Sequence, residues 1–267
     1  MKQLLRETLL REICTKTQEV VMRESNVVHV SSPIKYYPRD YVDRGLFSLE
    51  TISLLTIQLI RGNHESRAIT SSFYLECTRK YGSSRLWTYF TDMFDFFKLM
   101  LSVLIDDEIF CVHGFTLIWR LSPSIHSIID QIKVLDLFRE VSSDGPMTDF
   151  MWSDPDPERE DFAISPRSAS TFGAGYTFGA GIHKFLETNH MSSILRAHQL
   201  CMEGCTTLFH GHLSTVWSAS NYCYRAGNAG CVLEVGPRGS THFNNARDGP
   251  PEQAALSANG MLPEYFL

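Results

Sequence analysis

Two segments decide how this chain reads: YYPRDYVDRGLFSLET, from Tyr36 to Thr51, and IRGNHESR, from Ile60 to Arg67. Each sets acidic and basic side chains around a glycine, and the second adds an Asn-His pair. Thr56 to Ile60 has the composition of a strand, so Arg61-Gly62-Asn63-His64 falls where that strand ends. Strand-end loops are where a rigid sheet can aim side chains at one point. The placement recurs further on. Glu108 to Val112 reads as a strand ending at His113-Gly114, and Ser193 to Leu195 as one ending at Arg196-Ala197-His198.

Around these strand ends the pattern alternates between helix and strand. Leu4, Leu5, Leu9, Leu10, Ile13, Val20 and Val21 predict an amphipathic helix over 3–23, followed by a short β-branched run, Val27 to Val30. Ser48 to Leu55 predicts a helix with Ser48 as its N-cap. Residues 71–97 predict two helices divided near Gly82, and Ser122 to Leu135 another, opened by Ser122-Pro123. Residues 142–182, rich in Pro, Gly, Ser and Asp, read as loops. A helix begins at Ile182, and Leu213 to Ser218 and Gly230 to Val235 read as late strands. No linker divides the chain, so 1–267 reads as one domain, with about 240–267 a loosely ordered tail. The expected fold class is α/β: a β-sandwich flanked by helices, with the site at the strand ends.

Composition narrows the function. A formal net charge of −6 argues against a general affinity for nucleic acid, which is held by an excess of Lys and Arg. The most apolar stretch, Phe96 to Val112, is broken by Lys98, Asp106, Asp107 and Glu108, so no membrane span is expected. The N-terminus is charged and lacks the apolar core of a secretory signal. The seven cysteines show no CxxC spacing and read as buried free thiols, which points to a reducing, cytoplasmic compartment, with the nucleus as a second location.

Asp40 and Asp43 beside a turn, Asn63, His64, His113 and His198 together form a mixed oxygen and nitrogen donor set, suited to Mn, Fe or Zn rather than calcium. Arg44 and Arg167 lie in loops, where a planar guanidinium can grip phosphate oxygens with two hydrogen bonds. The combination points to metal-assisted hydrolysis of a phosphate ester, with a His giving a proton to the leaving oxygen. Taken singly, each piece has a plainer reading: a solvated turn for Asp40 and Asp43, a core or loop histidine for His113, a turn residue for Asn63. The acidic run Asp154, Asp156, Glu158, Glu160 and Asp161 reads as a solvated loop, and His210-Gly211-His212 as a turn.

DYVDRG (Asp40–Gly45) and RGNHESR (Arg61–Arg67) resemble the signatures of the metal-dependent PPP serine/threonine protein phosphatases. The likeness continues through FCVHG (Phe110–Gly114), LSPSI (Leu121–Ile125), MWSDPD (Met151–Asp156), SPR (Ser165–Arg167), Arg196–Gly204 and SASNYCYR (Ser218–Arg225). RESNV (Arg23–Val27) and the ending PEYFL (Pro263–Leu267) are similar to the type 2A, 4 and 6 branch. The resemblance implies a phosphoprotein substrate, scaffold or regulatory subunits, and two divalent ions, Mn, Fe or Zn, in a central β-sandwich. It implies that Asp40 bridges the two metals, that Asn63, His113 and His198 complete the second metal's shell, and that His64 is the general acid, oriented by Asp43. Arg44 and Arg167 would hold the phosphate, Tyr222 would line the site, and Leu267 would be a methyl-esterification point.

The chain departs from the family pattern in one large respect. A GDxHG segment that would give the first metal an Asp and a His is absent: Val30-Ser31-Ser32-Pro33 runs almost directly to Arg39-Asp40. The second metal keeps four ligands and the first keeps Asp40 alone, so the chain is expected to hold one ion rather than two and to lack one core strand-helix segment. His29 is a conceivable substitute, though as the third residue of a strand it reads as structural. Phe115 stands where the family has a second Gly after His113, and is expected to crowd His113 or the substrate face. TFGAG occurs twice, at 171–175 and 177–181, which would displace Arg167. The alternative to an active phosphatase is therefore an impaired relative that binds subunits or phosphopeptides.

Overall fold

The computed structural model describes residues 4–38, 40–43, 45, 47–54, 60–96, 102–115, 128–135, 141, 145–160, 162–166 and 175–246. Helix α1 (Glu7–Val21) buries Leu10, Cys14 and Val21 along one face, the stripe its periodicity predicts. Strands β1 (Val27–Val30) and β2 (Ile34–Tyr36) follow, then helices α2 (Ser48–Leu54), α3 (Ser71–Tyr81) and α4 (Arg85–Phe96). Next come β3 (Ser102–Ile105), β4 (Ile109–Val112), α5 (Ile128–Lys133), α6 (Pro146–Trp152), β5 (Asp154–Pro155), β6 (Ala163–Ile164) and β7 (Tyr176–Phe178). The chain continues through α7 (Ile182–Thr188), β8 (Ser193–Arg196), β9 (Cys205–Leu208), β10 (Leu213–Val216), β11 (Gly230–Val235) and β12 (Thr241–Ala246).

A six-stranded sheet runs in the order β1-β3-β4-β8-β10-β9, and a three-stranded sheet in the order β12-β11-β2. Side chains alternate across the larger sheet. Leu104, Phe110 and Ile194 join a cluster with α5, α6 and α7, whereas Val103, Ile105, Ile109, Cys111 and Leu195 pack against Tyr36, Leu233 and Val235 of the smaller sheet. The sheet is thus buried on both faces, which is why its strands read as continuous apolar runs. The result is the expected sandwich flanked by helices. Helices α1, α3 and α4 build a separate core around Phe73, Phe90 and Phe94. From β1 to Asp40 the described chain passes through β2 alone, with no helix between them.

A carboxylate from another helix caps α2. Ser48 is the expected cap of α2, yet Glu76 of α3 accepts the N–H groups of Ser48 (3.1 Å) and Leu49 (3.0 Å). The negative charge suits a helix N-terminus. Helix α3 stops where predicted, at Gly82, whose φ of 69° lets its N–H reach the Thr78 carbonyl.

Three expectations need correction. Residues 142–182 are not all loop, because Gly145 (φ 104°) and Pro146 open α6, which buries Met147, Phe150 and Met151, and three short strands form a third sheet. The charges within 96–112 mark a hairpin rather than a fault in the reading: Asp106 and Asp107 are the turn between β3 and β4, at φ 51° and 59°, and among the described residues no helix is long and apolar enough to cross a membrane. The tail is ordered as far as Ala246, since β12 pairs with β11 from Thr241 to Ala246. That strand is exposed almost throughout, so backbone pairing holds it and no burial pattern announces it. Finally, Phe115 does not crowd His113: it is fully buried with its ring against Phe110, Phe178 and Phe185. The predicted strand at Thr56–Ile60 lies, apart from Ile60, outside the described residues, as do residues 122–127 of the predicted Ser122 helix, the first TFGAG copy apart from Gly175, and residues 247–267. All seven cysteines are free thiols, six of them buried.

Candidate active site

The loop after β2 and the loop 60–66 are tied together by one fully buried side chain, Glu65. Its Oε1 accepts the N–H groups of Tyr41 (2.8 Å) and Val42 (3.2 Å), and its Oε2 accepts that of Gly62 (2.9 Å). Arg61, also fully buried, donates from Nε to the Glu65 carbonyl at 2.8 Å. Burial and the nearby Asp40 carboxylate push Glu65 up to about 8, against the pull of the three N–H donors. A cation beside Asp40 would oppose that push. Gly62 has no room for a side chain: a Cβ would lie 2.3 Å from Asp40 Oδ1 and 2.9 Å from the His113 ring.

Asp40, Asn63 and His113 converge at the floor so formed. His113 Nε2 lies 3.3 Å from Asp40 Oδ1 and 3.1 Å from Asn63 Oδ1, with all three side chains buried. His113 follows β4, and Gly114 presses against α6, donating to the Phe150 carbonyl at 2.6 Å. His198 follows β8 at φ 65°, its ring centre 5.3 Å from that of His113 and 5.5 Å from that of Trp152. The two histidine loops are stitched by the Ala197 N–H to the His113 carbonyl, 2.9 Å. Burial lowers His113 to about 4, although Asp40 pulls the other way. Its imidazole is neutral near pH 7, the form that ligates metal.

Two oxygen acceptors facing one ring nitrogen call for positive charge among them, either an N–H proton or a cation. Carboxylate, amide oxygen and neutral imidazole fit a single Mn, Fe or Zn ion. Among the described residues, no three His, Cys, Asp or Glu side chains form a metal-holding group by themselves.

His64 stands beside this cluster. Its Nδ1 is 3.0 Å from Asp43 Oδ2, while Asp43 Oδ1 accepts the Phe73 N–H at 2.7 Å. Asp43, at φ 72°, thereby fixes the ring and caps α3. A cleft opens over Asp40, walled by Tyr41, Phe47, Ser218, Tyr222 and Tyr224. Tyr222 is braced edge-on by Trp217, ring centres 4.8 Å apart. The fold therefore brings the sequence-predicted Asp40, Asp43, Asn63, His64, His113, His198 and Tyr222 to one region. Arg44, Arg167 and Leu267 lie outside the described residues.

Residues 40–202 match the calcineurin-like phosphoesterase family. The chain belongs to that family. This phosphoesterase is 47% identical to a serine/threonine-protein phosphatase of Schizosaccharomyces pombe, over 100% of its own length and 96% of the relative's. It is 44% identical to a protein phosphatase 2A catalytic subunit of Dictyostelium discoideum, covering 99% and 94% of the two chains. With the Saccharomyces cerevisiae PP2A-like phosphatase PPG1 the identity is again 44%, over 97% and 80%. A solved S. cerevisiae protein serine/threonine phosphatase with similarity to human PP5 superposes with a TM-score of 0.79 at 25% identity, covering 93% of each chain. The phosphoesterase is thus a PPP-type chain of a metal-dependent family, and its relatives are serine/threonine protein phosphatases. The S. pombe alignment extends over 307 residues against 267 here, so the relative holds residues with no counterpart in this chain.

Four supports of the phosphoesterase site are not evident from the sequence. Glu65 and Arg61 lie inside the RGNHESR motif, yet nothing in their spacing sets them apart from its other members. Asp154, expected in a solvated acidic run, is buried instead, accepting from Arg196 Nη2 at 2.9 Å, and the same nitrogen donates to the Ser153 carbonyl at 2.8 Å. Arg196 is fully buried two residues before His198, and the signal available is a basic residue in the middle of a strand-end motif. His29 is exposed, paired at 2.6 Å with Asp107, and so acts as a surface residue of β1.

Proposed function

We propose that this phosphoesterase hydrolyses phosphoserine and phosphothreonine monoesters on proteins. The observation that carries the reading is the pairing of two arrangements over one cleft: the Asp40-Asn63-His113 donor cluster and the His64-Asp43 couple. Asp40, Asn63, His113 and His198 would hold a divalent ion, with manganese the first choice. Such an ion supplies a water ionised near neutral pH and neutralises phosphoryl charge. Asp43 holds the Nδ1 side of His64, which leaves Nε2 as the atom that gives a proton to the departing serine or threonine oxygen. Glu65 keeps the two ligand loops in register, and burial excludes water from the donors. Arg44 and Arg167 are the proposed grips on the phosphate oxygens, and Tyr222 a wall for the substrate. Scaffold or regulatory subunits, a cytoplasmic and nuclear location, and methyl-esterification at Leu267 belong to the same reading.

A second reading is favoured by one observation: no GDxHG segment precedes Asp40, so Asp40 alone remains for a first metal. On that reading the chain binds phosphopeptides or subunits with little turnover. Metal content and phosphopeptide turnover of the purified, Mn-loaded chain separate the two. Brisk turnover supports the enzyme. One ion or none, with phosphopeptide bound and not cleaved, supports the binding module.

A further inference from the structure

Strands β8 and β10 lie side by side and parallel. Their C-terminal ends carry the candidate active site. Their N-terminal ends carry a second gathering of imidazoles that the phosphatase reading does not use. Four of the ten histidines fall there: His183 on α7, His190 in the turn after it, and His210 and His212 just before β10. His183 and His212 are in ring contact, centres 5.1 Å apart and planes at 86°. That separation nearly matches the 5.3 Å between His113 and His198 at the candidate metal centre.

The tautomer of His212 is fixed. Its Nδ1 lies 3.0 Å from the Ser192 carbonyl, an acceptor only, so Nδ1 carries the proton and Nε2 carries the lone pair. A backbone carbonyl holding one imidazole nitrogen while the other faces outward is the usual support of a metal-ligating histidine. Among the described residues neither Nε2 of His212 nor either nitrogen of His183 has a hydrogen-bond partner, and both rings are half-buried. Glu187 lies one helical turn beyond His183 on α7 and is exposed, so it adds negative charge to the neighbourhood.

We propose that His183 and His212 form a second, peripheral binding site for an imidazole-seeking divalent ion such as Zn, Cu or Ni. Water completes the shell, since among the described residues no third His, Cys, Asp or Glu side chain joins the pair in a metal-holding group. The site is separated from the catalytic cluster by the length of two strands, on the order of 13 Å, and stands or falls independently of phosphatase activity. A metal there would join α7 to the turn before β10.

The test is retention of the untagged full chain on a Ni-charged chelating resin, together with Cu binding by calorimetry. His113, being buried, cannot reach a resin-bound ion. The expected result is retention of the native chain, with His183→Gln and His212→Gln each lowering Cu affinity by about 10-fold or more and abolishing retention. His29→Gln and His242→Gln are the surface controls and should elute like the native chain. The proposal is overturned if the native chain fails to bind, or if the His183→Gln/His212→Gln double variant binds as the native chain does. Thermal melts of all variants in chelator verify that each is folded when compared.

Discussion

The two ends of strands β8 and β10 hold similar side chains in opposite surroundings. At the C-terminal ends, His113, Asn63, Glu65, Arg196 and Asp154 are buried, and each is held by a partner on another segment of the chain. At the N-terminal ends, His183, His190, His210 and His212 are half-buried or exposed, and His212 alone leans on a carbonyl. Residue type is therefore a poor guide to chemistry here. What differs is desolvation. The same imidazole is driven to its neutral form at one end by burial, and at the other it remains within reach of solvent and of dissolved ions.

The largest test of that contrast is removal of an imidazole from each end. His113→Ala should abolish tight Mn binding and lower kcat/KM by about a thousandfold, the equivalent of about 4 kcal/mol, whereas His212→Gln should leave turnover intact. Equal losses from both would erase the distinction. His64→Gln should slow turnover by about a hundredfold or more, the usual share of a general acid, while Mn content by elemental analysis stays at the native value. A lost metal would instead make His64 a ligand.

Gly62→Ala probes how tightly the buried end is built. Its Cβ would overlap Asp40 Oδ1, and Mn affinity should fall by about 10- to 100-fold in a titration followed by turnover or calorimetry. Native affinity would mean the loop has slack. Glu65→Gln places an amide NH2 against one or more of the backbone N–H groups that the carboxylate now accepts. It should cost about 1–3 kcal/mol of stability, read from chemical denaturation of the metal-free chain. The smallest effect belongs to the exposed end: His183→Gln should change stability by no more than about 0.5 kcal/mol. A larger loss would mean the ring is structural.

Much of this is readable in the sequence because apolar periodicity and strand-end motifs are local signals. Asp40, His113 and His198 come after the strands β2, β4 and β8, Asn63 lies in the loop 60–66, and the geometry brings three of their donor atoms together with the fourth ring beside them. What stays hidden depends on partners far away in the chain. Glu76 caps α2 from another helix, Asp154 is neutralised by Arg196, and Phe115 escapes the site because Phe178 and Phe185 make room for it in the core. Strand β12 is hidden for another reason: it is held through backbone groups, which every residue possesses and no side-chain pattern reveals.

Asp43 divides its two oxygens between layers of the protein, one on the His64 ring and the other on the first turn of α3. That helix packs with α1 and α4, and its outer face presents Tyr74 to solvent. A change that unsettles the first turn of α3 would therefore reach the His64 ring through a single carboxylate. The orientation of that ring is thus tied to a helix that lies outside the cleft.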